Sequence, residues 1–397
     1  MIAFLNFELK DKHFFTNPFL SSTDGYERYA SDEWILTQIK ALTYKVVNRI
    51  ILLDEKLTYN IYSGLGGIVY ALLRAHKYLN QELSDENGVT NGAAFYYYLD
   101  GFLGINVTKA IFHYIKKESF DISATITTVV NILMPEKETI FDGRCGQLAS
   151  ILTLQKEANQ FVLDENEIHK VLTKVINTGY DCSVKHLYES PLAFPESNYS
   201  GKHSSVSPLP YPVKLLGFLK GLAGILQMLL SFWNYLDDNK KSLVKDTVEW
   251  LLEKYEVDKA SSSAEKDEMK DIGELCQLWI VAYIVLDDEK YLNAADACCE
   301  QIWERGISCE GPGLDNGVSG NGYAFLLMYR LTKNEKYLSR SKMFSLILMD
   351  PEFDKLMKES ENPFSLFEGW SGALCFLTDI LDPKNAQFPF IPISFPQ

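Results

Sequence analysis

Hydrophobic and polar positions alternate along the chain in long blocks. Apolar stretches of ten or more residues with few charges recur, too long for typical strands and suited to buried helices. Most of them end in a polar turn followed by an amphipathic stretch. The clearest follows residue 287, where apolar residues fall at helical spacing: Tyr291, Leu292, Ala295, Cys298, Cys299 and Ile302. The pattern predicts a repeating unit of one buried helix and one amphipathic helix.

A pair of glycines three residues apart precedes each apolar stretch. Six pairs are complete, namely Gly64 and Gly67, Gly101 and Gly104, Gly143 and Gly146, Gly221 and Gly224, Gly317 and Gly320, and Gly369 and Gly372. A degenerate member lies between the fourth and the last two, with Gly273 retained and Cys276 in place of the second glycine. The first glycines are 37, 42, 78, 52, 44 and 52 residues apart. Such self-similarity is typical of a repeat architecture.

Seven two-helix units predict an all-α fold, an α/α toroid in which buried helices form an inner ring and amphipathic helices an outer one. A single glycine pair indicates only a turn before a helix. Seven in series favour a crowded centre that needs small residues for close approach. The free N–H groups at the starts of the inner helices then face a common mouth, which favours anions or polar ligands.

We expect one domain over residues 1–397, because a closed ring needs all its units. The 78-residue gap predicts an irregular insertion at about 183–213, rich in Ser, Pro and Tyr. This insertion is either a lid over the mouth, a partner-binding loop, or a plain disordered loop. Its composition favours the plain loop.

Charge and cysteine content narrow the function classes. The 397 residues are 47% hydrophobic and 23% charged, enough for a sizeable core, and the net charge of -15 argues against nucleic-acid or anionic-membrane partners. Seven irregularly spaced cysteines fit reduced thiols. The first 15 residues carry charges where a signal peptide needs an apolar core, and no apolar run could form a transmembrane segment. We predict a soluble cytoplasmic protein.

Several motifs resemble one known family. They are "GNGYAFLLMYRLTKNEKYLSRSKMF", "PFSLFEGWSGALCFLTDILDP", "QFPF", "KGLAGIL" and the early "TNPF". The chain resembles the eukaryotic branch of the lanthionine synthetase C-like family over essentially its whole length, most specifically beyond residue 215. The resemblance implies the same toroid.

The resemblance also implies a chemistry. Bacterial members close thioether rings by adding a cysteine thiol to a dehydroamino acid, and eukaryotic relatives are linked to glutathione. Zinc holds the thiol as a reactive thiolate. Its ligands in the family are a Cys of unit five and a Cys-His pair before the first glycine of unit six. A His before the unit-four glycine assists proton transfer.

This chain departs from that pattern at each position. Asp315 and Asn316 replace the Cys-His pair, Asp271 falls on the unit-five cysteine, and Lys220 replaces the unit-four histidine. We therefore predict that no zinc is bound and that no cofactor is needed. We interpret Cys276 as a core residue, and Cys309 as a thiol that lacks a partner histidine. The adjacent Cys298 and Cys299 project about 100° apart on one helix, which makes them poor ligands.

Charged residues at the mouth remain open to two interpretations. Acidic side chains lie beside the first glycines of five units: Asp100, Asp142, Asp271, Asp315 and Glu368. They either bind a hard cation or polar substrate, or serve as helix caps or near-caps. We favour capping for Asp100, Asp142 and Glu368 and leave Asp315 and Asn316 open. Lys220 and Arg144 either contact an anion or reach water, Arg144 more often the latter.

Three functions follow. The first is a zinc-free, catalytically degenerate member that binds a small thiol peptide such as glutathione, or a protein segment, at the mouth. The second is an active glutathione or thiol transferase that adds thiols to dehydroamino acids. The third is a carbohydrate-active toroid enzyme, ranked last because Trp370 is the only aromatic residue at the mouths that suits a sugar. Whether the protein is an enzyme stays open.

Overall fold

The computed structural model describes residues 5–20, 25–52, 58–79, 97–118, 137–160, 164–194, 219, 221–260, 272–358 and 360–396. Helices dominate these residues. Only one pair of short strands is present among them, β1 (Phe14–Phe15) and β2 (Ile307–Ser308), which run antiparallel with Phe14 opposite Ser308. No helix in the described ranges has both the length and the apolar character needed to cross a bilayer.

Seven helices of the described chain form the inner ring: α2 (Leu65–His76), α3 (Phe102–Ile115), α4 (Arg144–Glu157), α6 (Leu222–Ser231), α8 (Ile272–Leu286), α10 (Val318–Thr332) and α13 (Trp370–Ile380). Each packs against the next in this order, and α13 packs against α2. The last contact closes the ring. The predicted all-α toroid is confirmed.

The outer layer contains α1 (Asp32–Leu52), α5 (Glu165–His186), α7 (Asp238–Ala260), α9 (Glu289–Arg305), α11 (Glu335–Leu348) and the short α12 (Pro351–Leu356). Helices α5, α7, α9 and α11 each pack against the inner helix that precedes them. Helix α1 packs mainly against α13 and less against α2. The N-terminal helix therefore covers the last unit, which joins the two ends of the chain.

The inner and outer helices begin differently. Six inner helices start directly after the first glycine of their pair, whose backbone is extended and offers no side-chain cap. Four outer helices start after a side-chain cap, at Asp164, Asp288, Asn334 and Asp350. An Asp or Asn cap satisfies one free N–H and contributes about 1 kcal/mol. The inner helices use loop backbone instead: Leu65 donates its N–H to Thr58 and Trp370 to Pro363, both at 2.9 Å, so the prediction that these N–H groups are free at the mouth is wrong.

Close packing explains the second glycine of each pair. A Cβ at Gly67 would clash with the carbonyl oxygen of Ile61 in its own loop and with the Leu366 side chain of the preceding unit. A Cβ at Gly104 would meet the Tyr98 carbonyl and the Ile61 side chain in the same way. Equivalent clashes recur at Gly146, Gly320 and Gly372. The predicted close approach is confirmed, and the loop before each inner helix folds back onto its first turn.

Unit five has a different register from the one predicted. Gly273 is the second residue of α8 and not the residue before it. A Cβ on Gly273 would lie 3.1 Å from Oδ1 of Asn321 in the next unit, with no backbone clash. In the other units the first glycine precedes the helix, whereas Gly273 lies inside α8. The placement of the family's cysteine position at Asp271, which was counted back from Gly273, is therefore not equivalent to the placements in the other units. Asp271 itself lies outside the described residues.

The predicted insertion begins later than residue 183. Helix α5 continues to His186 because Val171, Val175 and Gly179 keep a buried face against the ring. The next residues pack too: Leu192, Ala193 and Phe194 are buried. Residues 195–213 of the predicted insertion lie outside the described residues.

The C-terminal tail closes the end of the ring opposite the mouth, which we call the far end. Residues Phe388, Phe390, Ile391 and Ile393 are buried there. The Phe390 ring lies 4.2 Å from that of Tyr70, between centroids. Its carbonyl accepts hydrogen bonds from Tyr98 at 3.0 Å and Thr153 at 3.2 Å. The tail therefore joins side chains from several units.

A buried charge network holds the tail in place. One nitrogen of Arg74 donates to Asp379 at 2.5 Å, and another lies 3.7 Å from Glu157. Tyr70 donates to Glu157 at 2.6 Å, and Tyr323 donates to Asp379 at 3.0 Å. Burial raises the pKa of Glu157, although Arg74 beside it favours the ionised form. These bonds tie the C-terminal ends of α2, α4 and α13 to Tyr323 in α10.

Candidate functional site

The mouth of the toroid is built on a chain of backbone hydrogen bonds that runs through six of the seven units. The residue two positions before the first glycine donates its N–H to the carbonyl of the corresponding residue in the next unit. We call these six residues the mouth ring. The bonds run from Asp315 to Phe367 (2.8 Å), Phe367 to Tyr62 (3.2 Å), Tyr62 to Leu99 (2.9 Å), Leu99 to Phe141 (3.3 Å) and Phe141 to Leu219 (3.0 Å). Backbone, not side chains, determines this geometry.

Aromatic side chains of the mouth ring converge at its centre. The Tyr62 ring stacks on Phe367 with centroids 5.1 Å apart and planes 11° apart. Phe141 meets the same Tyr62 ring edge-on, at 5.1 Å and 77°. Phe367 is fully buried, whereas Tyr62 and Phe141 are half-buried. Asp315 is the one charged member of the mouth ring as described.

Asp315 and Asn316 lie together at the mouth, as their sequence position predicts. The Tyr62 hydroxyl donates to Oδ2 of Asp315, and Nδ2 of Asn316 donates to Oδ1 at 2.9 Å. Asn316 has a φ of 56°, a left-handed conformation that Asn tolerates better than most residues. Ser308 donates to its carbonyl at 2.6 Å. Both carboxylate oxygens of Asp315 thus have a hydrogen-bond donor.

Electrostatics at this point keep Tyr62 protonated. Burial raises the pKa of the Tyr62 phenol far above its ordinary value, and the nearby carboxylates of Asp315, Glu368 and Glu274 raise it further. A phenol with so high a pKa remains a donor throughout the physiological range. The site is therefore a stable phenol–carboxylate pair, which the sequence analysis did not anticipate.

Arg144 does not reach water. Its side chain is 6% exposed, and its guanidinium donates to Glu138, which is 4% exposed. Burial raises the pKa of Glu138, while Arg144 and a hydrogen bond from Thr178 of α5 oppose the shift. The charge of Arg144 is thus paired with Glu138, which lies between α4 and the outer helix α5. The expectation of a water-exposed side chain is wrong because the loop before α4 places a carboxylate beside it.

The other acidic residues precede the caps and bond within or between pre-helix loops. Asp100 accepts from Nδ2 of Asn60 at 2.8 Å. Asp142 accepts from Lys137 at 2.5 Å and from Thr139 at 2.7 Å. Glu368 accepts from Ser360 at 3.3 Å and from Asn362 at 3.2 Å. The glycines hold the cap positions, so these carboxylates are near-caps that brace the loops.

Of the remaining predicted site positions, two are not described by the structure, and the cysteines are. Lys220, like Asp271, lies outside the described residues. The cysteines are described, and Cys276 is buried with its sulfur 3.9 Å from that of Cys299 on the outer helix α9. Cys298 is also buried and contacts Tyr255. These three cysteines face the interface of α8 and outer helices, as expected for core residues.

Cys309 lies near His13, although the sequence analysis gave it no partner histidine. The Cys309 N–H bonds to the His13 carbonyl at 2.9 Å, beside the β1–β2 pair. Nδ1 of His13 is 3.1 Å from Oε1 of Glu310, which also accepts from Lys358 at 2.5 Å. The Cys309 sulfur is directed at the carbonyl of Lys12, 3.5 Å away, and burial raises its pKa. No local signal places residue 13 beside residue 309, because the contact depends on strand pairing.

The donor set at the unit-six position suits zinc poorly. Zinc in proteins is held by thiolate, imidazole and carboxylate in a tetrahedral set. Here the described donors are one carboxylate already bonded by Tyr62 and Asn316, and one amide oxygen of Asn316 that is buried and unbonded by described residues. Oxygen ligands of this kind suit harder cations. The residues present do not fit the family's metal.

Comparison with known proteins agrees with this architecture. The family model described as lanthionine synthetase C-like protein matches residues 113–393. Glutathione S-transferase LANCL1 of Danio rerio is 28% identical over 262 residues, which cover 62% of this chain and 60% of that protein. LanC-like protein GCL1 of Arabidopsis thaliana is 25% identical over 259 residues, 62% of this chain and 56% of that protein.

The alignments thus span less than two thirds of the curated relatives. The solved structure of nisin cyclase shares the fold, with a TM-score of 0.56 and 15% identity over 88% of this chain and 98% of that one. The seven-unit ring, the glycine pairs and the family match lead to one conclusion. The chain belongs to the lanthionine synthetase C-like protein family.

Proposed function

We propose that this protein is a zinc-free member of its family that binds a peptide at the mouth, either glutathione or a similar small thiol peptide, or a segment of another protein. One observation carries the proposal. At the unit-six position, the Asp315 carboxylate is engaged by Tyr62 and Asn316, with no thiolate or imidazole beside it among the described residues. Without such ligands the thiol activation used by the family has no metal to act through.

The mouth still offers groups that a peptide can use. The inner helices begin at glycines without side-chain caps, and the loops before them fold back so that Leu65, Val318 and Trp370 donate their N–H groups to loop carbonyls. Half-buried aromatic and carboxylate groups lie beside them in Tyr62, Phe141 and Asp315. Such a mixture of polar groups and apolar surface is typical of a ligand site. We also propose a cytoplasmic location, supported by seven free cysteines.

A second candidate is an active thiol transferase, which the name of the Danio rerio relative favours. It requires a base or metal to generate the thiolate. The two candidates differ in what the thiol of the ligand contributes. A metal-bound thiol would contribute much of the affinity, whereas a peptide held by hydrogen bonds and packing would lose little without it.

The test compares glutathione with the same tripeptide carrying alanine in place of cysteine. Zinc content is measured by elemental analysis on the same purified protein, and binding by calorimetry. We expect well under one zinc per chain and affinities for the two peptides within a few-fold of each other. Stoichiometric zinc, together with a strong preference for the thiol, would favour the transferase. If neither peptide binds, the small-peptide ligand is wrong and the protein-segment alternative remains for direct titration.

A further inference from the structure

Tyr62 occupies the centre of the mouth in a fixed position. It belongs to unit one, and its N–H and carbonyl both take part in the backbone chain of the mouth ring, with Leu99 and Phe367. Its ring is held on one face by Phe367 and on an edge by Phe141. Backbone and side chain therefore both determine where the phenol hydroxyl lies.

The hydroxyl reaches across unit seven to unit six. Its acceptor, Oδ2 of Asp315, is 253 residues away in the sequence. The Asp315 backbone is held as well, by its own N–H bond to Phe367 at 2.8 Å. A direct side-chain bond thus joins two non-adjacent units at the position where relatives are expected to hold a metal ligand.

The same bond changes what Asp315 can bind. A metal ion coordinates through carboxylate lone pairs, and here each oxygen already accepts a hydrogen bond. Each oxygen has a second lone pair, but a cation that uses the Oδ2 lone pair facing Tyr62 must displace a phenol held in place by two aromatic rings. Removing the hydroxyl alone would free one carboxylate oxygen while leaving the aromatic stack in place.

We infer that Tyr62 is a specificity-determining residue of the mouth, which ties unit one to unit six through Asp315 and excludes metal ions from the Oδ2 lone pair that accepts its hydrogen bond. The inference rests on the proposed function, in which the mouth works without zinc. In this chain the hydrogen bond between Tyr62 and Asp315 connects the two sides of the mouth, where a metal ion would do so in relatives.

The tie, meaning the hydrogen bond by which Tyr62 joins unit one to unit six, is tested by a double-mutant cycle. Chemical unfolding is measured for Tyr62→Phe, Asp315→Ala and the double variant. A hydrogen bond to a charged group that is lost in either single variant predicts non-additive effects. We expect a coupling of about tenfold or more in the unfolding equilibrium constant. Tyr59→Phe is the matched control, because Tyr59 lies in the same loop and is 43% exposed. Its effect should add to that of Asp315→Ala.

The exclusion of metal is tested by zinc affinity, which a merely structural bond would not change. The Asn316→His variant keeps Asp315 and places one of the family's ligands beside it, and its zinc affinity is measured by competition with a chromophoric chelator. We expect a gain of about tenfold in affinity when Tyr62→Phe is added to this variant, since Oδ2 of Asp315 then loses a competing donor. Tyr59→Phe should bring no gain.

The outcomes are separable. Additive effects in the unfolding cycle would overturn the tie. Coupling without any gain in zinc affinity from Tyr62→Phe would overturn the exclusion of metal. Stoichiometric zinc in the wild-type protein would contradict the proposed function, and it would do so whatever the unfolding cycle shows.

Discussion

The two ends of the inner ring are held together by different kinds of contact. At the mouth, backbone groups bond from unit to unit, and side chains of different chemistry occupy equivalent positions, from Leu99 to Asp315. At the far end, specific side chains make the contacts: Arg74, Glu157 and Asp379 are matched in charge and hold the C-terminal tail. We therefore expect a substitution in the mouth ring to disturb the fold less than one at the far end.

This difference explains how a family member can lose metal ligands and keep its architecture. The position two residues before the first glycine contributes its backbone to the ring of hydrogen bonds whatever its side chain is. Tyr, Leu, Phe and Asp all occur there in this chain. The mouth is thus free to change its chemistry, because its geometry comes from glycines and backbone.

The largest effect on stability is expected from a truncation at the far end. Deleting residues 384–397 removes the large buried side chains of Phe388, Phe390, Ile391 and Ile393, each of which stabilises the fold by about 1.5–3 kcal/mol. The sum is comparable with the whole stability of a typical domain, about 5–15 kcal/mol. We expect the truncated chain to lose cooperative thermal unfolding in calorimetry. Deleting only Pro396 and Gln397 should leave the transition in place, and a cooperative transition in both would mean that the tail is dispensable.

A second prediction concerns the charge network. Replacing Arg74 by Met leaves the buried carboxylates of Asp379 and Glu157 without their cation, which should lower the free energy of unfolding by about 3–5 kcal/mol. Lys77→Met is the control, since Lys77 pairs with Asp382 but is 53% exposed, and should change stability by about 1 kcal/mol or less. Urea unfolding measures both. Equal losses would show that the far end does not depend on the network.

A third prediction sharpens the account of the mouth. In Gly320→Ala the new methyl group would collide with the Leu314 carbonyl, and we expect a loss of about 1–3 kcal/mol. Gly273→Ala is the matched change in unit five, where the nearest atom is the movable Asn321 side chain at 3.1 Å. Since Ala favours a helix over Gly by up to about 1 kcal/mol, that variant should be neutral or slightly more stable. If both variants lose the same stability, close packing restricts Gly273 as much as it restricts Gly320.

The smallest expected effect is a pH dependence at the far end. Because burial raises the pKa of Glu157 in the folded state, its contribution to stability is present below the unfolded pKa of about 4.3 and is lost as pH rises through the folded value. Glu157→Gln should therefore weaken the decline in stability from acidic toward neutral pH. Urea midpoints across that range measure it. The exposed Glu304→Gln serves as a control and should leave the slope unchanged.

Local pattern was sufficient for much of the fold. The start of an inner helix after Gly64, Gly101 or Gly317 follows from a glycine pair and an apolar run, both of which are readable within about 15 residues. The core position of Cys276 follows from the same periodicity. The register of α8 was not predictable in this way, because one glycine of its pair is missing.

The contacts that complete the site and the ring depend on chain closure. Helix α1 covers α13, His13 lies beside Glu310, and Tyr62 bonds to Asp315, each across more than half of the sequence. Contacts between residues so far apart in the sequence cannot be predicted from the local pattern of hydropathy. Motifs around residue 315 predicted that the family's Cys-His pair is replaced there, but they could not indicate that Tyr62 bonds to Asp315.

The sequence by itself determined the number of units, their helical character and the crowded, glycine-lined centre, because these depend on periodicity and on side-chain size. Only the tertiary structure decided that Arg144 is paired with Glu138, that the C-terminal tail closes the far end, and that a tyrosine occupies the centre of the mouth. Those features arise from residues brought together by ring closure. Their energies depend on burial and distance, which a linear pattern does not contain.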